Sequence, residues 1–420
     1  MARGPLKAAV PNLTATPKRL LDGKRVLRWN PPALNGAREA PSALTVSDGL
    51  RSLNGRCSYT PRARYNSTPG QFAMKIIVVS TIHPFVPGGA TLFVEWLTLA
   101  LQSRGHEVET LLIPFASSYK SIPSQFLAMR MLDVSNHGDL LIAVRPPSYL
   151  VRHPRKVLWF IHHHRTAYDL WGTEYQDIPD SPEGHAYRDA IMHADNVAFQ
   201  ESVKIFCNSE IVALRLKSFN ATDARVLYPP LWAPERYRTG AYGDYFLYVS
   251  RIVPHKRQLL AVEALRYTRR PVKLVIAGRP DLTSQTYLDE IQRRVRDWNL
   301  EPRVSVVPRW ITEEEKVSLY SDCLAGIYIP YDEDSYGYPT LEAHHAGKGV
   351  ITAADSGGTR ELIADGENGF VADAGPEGIA SAMDQLYDDR ELAKRMGAAG
   401  QRRIEALGID WNTVVHNLTT

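Results

Sequence analysis

The sequence lacks the features of several common protein classes. None of its apolar runs approaches the roughly 18 residues of a membrane-spanning helix, and no apolar stretch of about seven residues stands near the N-terminus, so neither a membrane span nor a secretory signal is expected. The three cysteines, Cys57, Cys207 and Cys323, lie far apart and form no CxxC pair, which argues against a disulfide framework and fits a reducing compartment. The motifs of serine hydrolases, P-loop proteins and protein kinases are also missing.

Charge is unevenly distributed along the 420 residues. Residues 1–73 contain 12 Lys and Arg but 3 Asp and Glu, whereas residues 74–420 contain 37 and 43, a net charge of −6. A mildly acidic body argues against nucleic acid as a partner. The apolar fraction of 44% is enough for ordinary buried cores, and the length predicts two or three domains.

Residues 1–73 also differ from the rest in composition. They are rich in Pro, Arg, Ala and Ser and show neither helical nor strand periodicity. Two interpretations stay open: a disordered basic tail, or residues that precede a true start at Met74. A tail that binds anionic lipid is a third.

From Met74 onward, short apolar runs alternate with amphipathic segments. The predicted strands span 76–79, 108–113, 140–144, 157–161, 205–208, 246–249, 272–277, 304–307, 325–329, 350–353 and 370–372. This alternation predicts an α/β fold with two doubly wound, Rossmann-like parallel sheets covered by helices on both faces. The capping-box pair Thr312 and Glu315 predicts the start of one of these helices.

A stretch rich in Pro and Gly, residues 228–243, interrupts the pattern and predicts a linker. We therefore expect an N-terminal domain over 74–240, a C-terminal domain over 241–400, and a helix over 401–420 that packs back on the N-terminal domain. Ligands of such sheets bind beyond the carboxyl ends of the strands, so the cleft between the domains is the expected site.

Loops after the first strand of each domain have anion-binding features. Gly88 and Gly89 lie between a strand and a helix, where backbone N–H groups approach an anion closely, although their spacing is not the GxGxxG of dinucleotide-binding proteins. Arg251 and Lys256 follow a strand of the second domain, and a guanidinium beside an ammonium suits a diphosphate. A tight turn and a solvated basic turn are the respective alternatives.

The acidic segment 332–334 precedes a helix that is expected to begin near Pro339 and to end at Gly347. Its first turn has free backbone N–H groups for phosphate, in the stretch Tyr338, Pro339, Thr340 and Leu341. Glu342 is placed to reach a ribose, and Asp334, eight residues earlier, to bind sugar hydroxyls. An Asp-x-Asp metal site is not expected, because no further ligand has suitable spacing.

Two more loops are candidates. Gly357 and Gly358 again lie between a strand and a helix, either as a phosphate loop or as a simple glycine turn. The run 162–164 consists of three histidines at the end of a strand, one of which can contact a substrate. Arg145 and Arg165 belong to a basic stretch that meets an anionic acceptor, a membrane surface, or only solvent.

With these motifs in this order, residues 74–420 resemble the retaining glycosyltransferases of family 4, which have the GT-B fold of two facing Rossmann-like domains. The resemblance is carried by the Gly-Gly loop, by Arg251 with Lys256, by the pair Asp334 and Glu342, and by the loop 357–370. The stretch 162–171 is also similar to a segment common in bacterial members.

The resemblance implies roles for these residues. Gly88 and Gly89 would contact donor phosphate or acceptor, Arg251 and Lys256 would hold the diphosphate, and Glu342 would bind the ribose. His162 would match the family histidine near the transferred sugar.

Asp334 stands where the family has the first glutamate of its acidic pair, and it is one methylene shorter. Its contact with the sugar hydroxyls is therefore expected to shift or weaken. Glu333 is adjacent and could substitute.

The implied activity is transfer of a hexose-type sugar from a nucleotide-sugar donor to a glycan or lipid-linked acceptor, with retention of configuration and with neither an essential metal nor another cofactor. The implied location is the cytoplasm, with peripheral contact to the inner face of the membrane. A nucleotide-sugar epimerase and a non-catalytic nucleotide-sugar-binding protein are the alternatives.

Overall fold

A computed structural model describes residues 73–84, 89–281 and 283–420. The predictions made for residues 1–72 and for Gly88 lie outside the described residues. The described residues contain two six-stranded sheets, each entirely parallel. This observation confirms the predicted fold class.

The N-terminal domain contains a sheet in the strand order β2-β1-β3-β4-β5-β6. Its strands are β1 (Lys75–Ile82), β2 (Glu107–Pro114), β3 (Leu140–Ala143), β4 (Lys156–Phe160), β5 (Lys204–Cys207) and β6 (Arg225–Val226). Its helices are α1 (Gly89–Gln102), α2 (Ile122–Met131), α3 (Pro182–Gln200) and α4 (Glu210–Asn220). Every residue of β3 and β4 is buried, as expected of central parallel strands covered on both faces.

The C-terminal domain contains the second sheet, in the order β12-β11-β10-β7-β8-β9. Its strands are β7 (Tyr245–Val249), β8 (Lys273–Ala277), β9 (Val304–Val307), β10 (Ala325–Ile327), β11 (Val350–Ala353) and β12 (Gly369–Ala372). The helices that follow the linker are α5 (Gln258–Ala264), α6 (Gln285–Asp297), α7 (Glu313–Asp322), α8 (Tyr338–His345), α9 (Thr359–Leu362), α10 (Pro376–Asp388), α11 (Arg390–Ala406) and α12 (Trp411–Thr419). The predicted capping box is present at the start of α7, with both reciprocal hydrogen bonds between Thr312 and Glu315.

The C-terminal segment differs from the prediction. The helix expected over 401–420 is instead the end of α11 and the separate helix α12. Helix α12 does pack on the N-terminal domain, where the Trp411 ring lies 6.3 Å from that of Trp159 and its Nε1 donates to the Leu231 carbonyl at 2.9 Å. No described helix is long and apolar enough to cross a membrane.

Each sheet has one point at which successive connections change direction. It lies between β1 and β3 in the N-terminal sheet and between β7 and β10 in the C-terminal sheet. Loops on either side of such a point diverge and leave a crevice beyond the strand ends, which is where ligands of open α/β sheets bind.

Candidate active site

A cavity of about 690 Å³ lies between the two domains, at the carboxyl ends of strands from both sheets. Its volume is within the usual range of small-molecule sites. The N-terminal domain contributes Gly89, Arg145 and His162, among others, and the C-terminal domain contributes Arg251 and Tyr338. The structure therefore brings together residues that the sequence predicts as a site but that lie in different domains.

The basic loop after β7 places two cations, Lys256 and Arg251, at this cavity. They differ in their burial and in their ion pairs. The Lys256 side chain is largely buried; its Nζ donates to the Tyr328 hydroxyl at 2.9 Å and forms an ion pair with Glu333. The Arg251 side chain is about half exposed, and its guanidinium is 3.9 Å from the Asp281 carboxylate. Arg251 is thus the more available of the two for an incoming anion.

Glu333 is the carboxylate that faces these cations. Burial by itself raises its pKa, but the Lys256 ammonium outweighs that effect, so the pKa lies below its ordinary value. Glu333 is therefore an anion at neutral pH. Its ion pair neutralises Lys256, a cation that the sequence predicts to bind the donor diphosphate.

Asp334 lies at the edge of the same cavity but faces the opposite domain. Its carboxylate forms an ion pair with Arg215 on α4, and the Nε of Arg165 is 3.6 Å away. The same two arginines also contact Asp332, at 2.7 and 2.8 Å, and Asp169. We call Arg165, Asp169, Arg215, Asp332 and Asp334 the bridging cluster.

The bridging cluster contains three carboxylates and two guanidinium groups. Burial raises the pKa of Asp334 to about 7, although Arg165 and Arg215 oppose the shift. The charges of Glu333 and Asp169 add to the effect of burial, because like charges disfavour the ionised form. The sugar-binding role predicted for Asp334 and the acceptor role predicted for Arg165 stay predictions. In the structure Asp334 pairs with Arg215 and Arg165, and Arg165 also pairs with Asp169 and Asp332.

A second contact joins the domains beside the bridging cluster. The Glu361 carboxylate, in α9, accepts hydrogen bonds from the backbone N–H groups of Glu210 and Ile211 at 2.8 and 2.9 Å. These two groups begin α4, where N–H groups have no partner within the helix and the helix dipole favours an anion. Helix α4 is therefore fixed to the C-terminal domain at its N-terminus as well as through Arg215.

Of the three consecutive histidines, His162 lines the cavity. Its Nδ1 is 2.6 Å from the His163 carbonyl oxygen, which only accepts, so Nδ1 carries the proton and Nε2 is left as an acceptor. Burial and then the charge of Arg145 lower the pKa of His162 to about 3. His163 has a different environment, because its Nε2 contacts the Asn220 amide oxygen at 2.9 Å and its ring packs on Tyr168.

The start of α8 meets the cavity through only part of its predicted stretch. Tyr338 and Pro339 line the cavity, and the Tyr338 ring packs edge-on against Trp96 of α1. Thr340 and Leu341 are fully buried and do not line it. The backbone N–H of Thr340 already donates to the Gly337 carbonyl, so its predicted contact with the donor stays a prediction.

Glu342 lines the cavity but has a partner that sequence reasoning missed. The Lys316 Nζ, on α7, is 2.6 Å from its carboxylate, and both side chains are buried. The capping box placed α7 correctly, but nothing in its spacing singles out Lys316 as a residue of the site. An incoming ribose would have to share Glu342 with this ammonium.

Gly357 and Gly358 do not line the main cavity; they pack behind the acidic segment. A Cβ on Gly357 would lie 2.5 Å from the Glu333 carbonyl oxygen, and one on Gly358 would lie 2.8 Å from the Ser335 Cα. Their small size lets the loop lie directly against residues 332–335. Contact with the donor stays a prediction for both glycines, and their evident role is to position the acidic segment.

The basic stretch that contains Arg145 and Arg165 does not form one surface. Lys156 within it is fully buried and pairs with Glu201, and Arg152 pairs with Asp133. Of the basic residues in this stretch, only Arg145 and Arg165 face the cavity. Among the described residues, no group of three or more His, Cys, Asp or Glu side chains is arranged to hold a metal ion.

Comparison with known proteins identifies what these domains are similar to. The family model described as "Glycosyl transferases group 1" matches residues 239–403. The alpha-1,3/1,6-mannosyltransferase ALG2 of Dictyostelium discoideum is 32% identical over 136 residues, 32% of this chain and 32% of that protein. The mouse ALG2 is 27% identical over 319 residues, 66% of this chain and 72% of that protein.

A third relative is the GDP-mannose-dependent alpha-(1-6)-phosphatidylinositol monomannoside mannosyltransferase of Mycobacterium tuberculosis, which is 30% identical over 197 residues. That match covers 44% of this chain and 48% of the relative. The chain therefore matches about a third of the Dictyostelium protein and about half of the mycobacterial one.

Solved structures extend the likeness to both domains. Sucrose-phosphate synthase from Thermosynechococcus elongatus superimposes with a TM-score of 0.67 at 17% identity, covering 82% of this chain and 97% of that one. Anabaena HepE in complex with UDP and glucose gives a TM-score of 0.59 at 20% identity, covering 82% and 98%. Residues 239–403 therefore match the glycosyl transferases group 1 family, and the two facing Rossmann-like sheets have the GT-B arrangement of these solved structures.

Proposed function

We propose that this protein transfers a hexose-type sugar from a nucleotide-sugar donor to a glycan or lipid-linked acceptor, with retention of configuration and without an essential metal or other cofactor. The observation that carries the proposal is the cavity itself. It places Arg251 and Lys256, at the strand ends of one domain, opposite the neutral His162 of the other. A diphosphate needs the first pair, and a sugar hydroxyl suits the acceptor nitrogen of His162.

The reaction needs charge stabilisation more than acid or base groups. The bond between the anomeric carbon and the β-phosphate oxygen breaks, and its electron pair stays on the phosphate. The acceptor oxygen then bonds to the same face of the anomeric carbon, and its proton passes to the departing phosphate oxygen. Arg251 and Lys256 are placed to stabilise the negative charge that grows there, a term worth about 10²–10³ in rate for a single donor group.

Lys256 must change partner for this to happen. In the structure it is paired with Glu333, so the diphosphate has to compete with that carboxylate. Once displaced, Glu333 becomes an acceptor facing the cavity. It is then the acidic residue best placed for the sugar hydroxyls, because Asp334 is held in the bridging cluster.

The mouth of the cavity suits a saccharide acceptor. The rings of Tyr175 and Tyr331, one from each domain, lie 5.7 Å apart there, and both residues are more than 40% exposed. Exposed aromatic faces at a cleft entrance favour the apolar faces of sugar rings. The name of the mycobacterial relative includes a phosphatidylinositol-linked acceptor, which supports a lipid-linked acceptor for this chain. We propose that this acceptor is reached from the cytoplasm, at the inner face of the membrane.

Nucleotide binding by the full chain tests the proposal first. Calorimetric titration with UDP, GDP and ADP should show base-selective binding, and the double variant Arg251→Ala, Lys256→Ala should weaken it at least 100-fold. Arg293→Ala is the control, since Arg293 is a surface residue of α6 paired with Glu290 and Asp297. A folded chain that binds none of the three nucleotides would contradict the proposal.

Product analysis then separates transfer from the alternatives. With the selected nucleotide sugar, a transferase should release nucleoside diphosphate in an acceptor-dependent way. Epimerised donor formed without any acceptor would indicate an epimerase. Tight binding without any product in the presence of glycan and lipid-linked acceptors would indicate a binding protein.

A further inference from the structure

Arg145 occupies a position that the predicted diphosphate site leaves out. It is the second residue after β3, at the point where the connections of the N-terminal sheet change direction, and its side chain lines the cavity. The buried Ser148 donates to the Arg145 carbonyl from both its N–H and its hydroxyl, at 2.8 and 2.6 Å. The backbone that carries this guanidinium is therefore fixed.

The Arg145 guanidinium is poorly satisfied by the protein. Its Nη1 donates to the Thr81 carbonyl at 3.3 Å, while its Nε is buried and has no hydrogen-bond partner among the described residues. Among the described residues, no carboxylate forms an ion pair with the Arg145 guanidinium. A buried N–H without a partner costs free energy, so its persistence beside a cavity points to a ligand that supplies the missing acceptor.

The neighbours of Arg145 show which kind of ligand is missing. Arg145 and Arg251 line the cavity from opposite domains, and the only ion pair of Arg251 among the described residues is the long contact with Asp281 at 3.9 Å. Burial and then the charge of Arg251 lower the pKa of Arg145. Lys256, in contrast, is already neutralised by Glu333. Arg145 and Arg251 are therefore less fully neutralised by carboxylates than Lys256 is.

We propose that Arg145 binds the phosphate oxygens of the donor diphosphate from the N-terminal domain, opposite Arg251. The proposal rests on the proposed function and replaces the acceptor role that the sequence predicts for Arg145. Because Arg145 lines the cavity together with His162 and Arg251, we assign its guanidinium to the β-phosphate, where the sugar is attached. The diphosphate then joins two cations that otherwise repel, so its presence favours the closed cleft.

The test compares nucleoside diphosphate with nucleoside monophosphate on the full chain. Arg145→Gln should weaken binding of the selected diphosphate 10- to 100-fold and that of its monophosphate less than threefold, because a hydrogen bond to a charged group is lost only in the first case. Arg145→Lys should recover part of the loss, since it keeps the charge without the guanidinium fork. Arg152→Gln is the matched control, because Arg152 pairs with Asp133 at the surface of the same domain.

Two results would overturn the proposal. One is unchanged affinity for the diphosphate in a folded Arg145→Gln protein, with Arg145→Met as the second variant if Gln is not tolerated. The other is an effect confined to donors with an acidic sugar, which would assign Arg145 to a sugar carboxylate. Absence of nucleotide binding in the unmodified protein would contradict the proposed function instead, so the two failures are distinct.

Discussion

Arg215 on α4 forms an ion pair with Asp334 of the opposite domain, although motif spacing predicts that Asp334 binds the transferred sugar. Its other Nη contacts Asp332 at 2.7 Å. Asp334 is thus held in a contact between the domains. The acidic segment serves two purposes here, since Glu333 faces the cations of the cavity while Asp332 and Asp334 join the domains.

Arg215→Ala should destabilise the protein measurably. The substitution leaves Asp332 and Asp334 with only Arg165, and removing one partner of a largely buried ion pair is costly. We expect the free energy of unfolding to fall by about 2–3 kcal/mol in urea denaturation. Lys217→Ala, on the same helix, is the control, because its exposed pair with Asp223 is worth at most about 1 kcal/mol. Equal losses of stability in the two variants would show that Arg215 in the bridging cluster stabilises the protein no more than an exposed ion pair does.

Glu333→Gln should change binding and turnover in opposite directions. Losing the carboxylate frees Lys256 for phosphate, so nucleoside diphosphate alone should bind about 3- to 10-fold more tightly. Transfer should fall by about 10-fold or more, because the sugar loses a charged hydrogen-bond acceptor, typically worth 1.5–3 kcal/mol. Calorimetry and steady-state assays measure the two quantities separately. Glu333→Asp keeps the charge and should show no gain in diphosphate affinity; weaker diphosphate binding by Glu333→Gln would contradict the competition between Glu333 and phosphate.

Eleven of the twelve described strands and their order of appearance could be predicted because buried parallel strands are continuous apolar runs. The two-residue β6 is too short to form such a run and was missed. Strand β4, residues 156–160, is such a run except for its first residue, Lys156. This lysine is buried, and its charge is compensated by an ion pair with Glu201. The start of α7 could be predicted because the capping box is a local interaction between Thr312 and Glu315. These features depend on neighbours in sequence.

The ion pairs that neutralise the charged residues of the site could not be predicted from neighbours in sequence. Arg215 and Asp334 are 119 residues apart, and their meeting depends on how two domains face each other. The pair of Lys316 with Glu342 depends on the packing of α7 beside α8, which no spacing encodes. Motif residues therefore located the cavity, while the partners that occupy their charges appeared only in the structure.

Gly357→Ala should damage the site through the acidic segment. Gly357 has a φ of +60°, and an added Cβ would lie 2.5 Å from the Glu333 carbonyl oxygen and 2.7 Å from its backbone nitrogen. The segment must shift to relieve this contact, so we expect transfer to fall at least 10-fold, together with a loss of stability of more than about 2 kcal/mol.

Gly366→Ala separates the contact from the backbone conformation. Gly366 has a φ of +75° but no atom within 4 Å of its would-be Cβ. This control should cost only about 1 kcal/mol of stability, with transfer unchanged. Equal losses of transfer in the two variants would show that close packing against Glu333 is not the cause.

The buried Asp195 should make stability depend on pH. Its carboxylate accepts hydrogen bonds from the Tyr149 and Tyr168 hydroxyls, both at 2.8 Å, inside the N-terminal domain. Burial outweighs these bonds and raises its pKa from 3.8 to about 7. Between these two values the folded state holds a proton that the unfolded state has released, so this group's contribution to the free energy of unfolding falls as pH rises from about 4 to about 7, by at most about 1.4 kcal/mol per pH unit.

Asp195→Asn isolates that contribution from those of other acids, such as Asp334. An amide does not titrate, so the decline in the free energy of unfolding between pH 4 and pH 7 should be shallower in the variant than in the unmodified protein, and the two profiles should be parallel above pH 7.5. Urea denaturation at a series of pH values gives both profiles. Parallel profiles across the whole range would mean that Asp195 is ionised in the folded state at pH 4, with the two tyrosine hydroxyls outweighing the cost of burial.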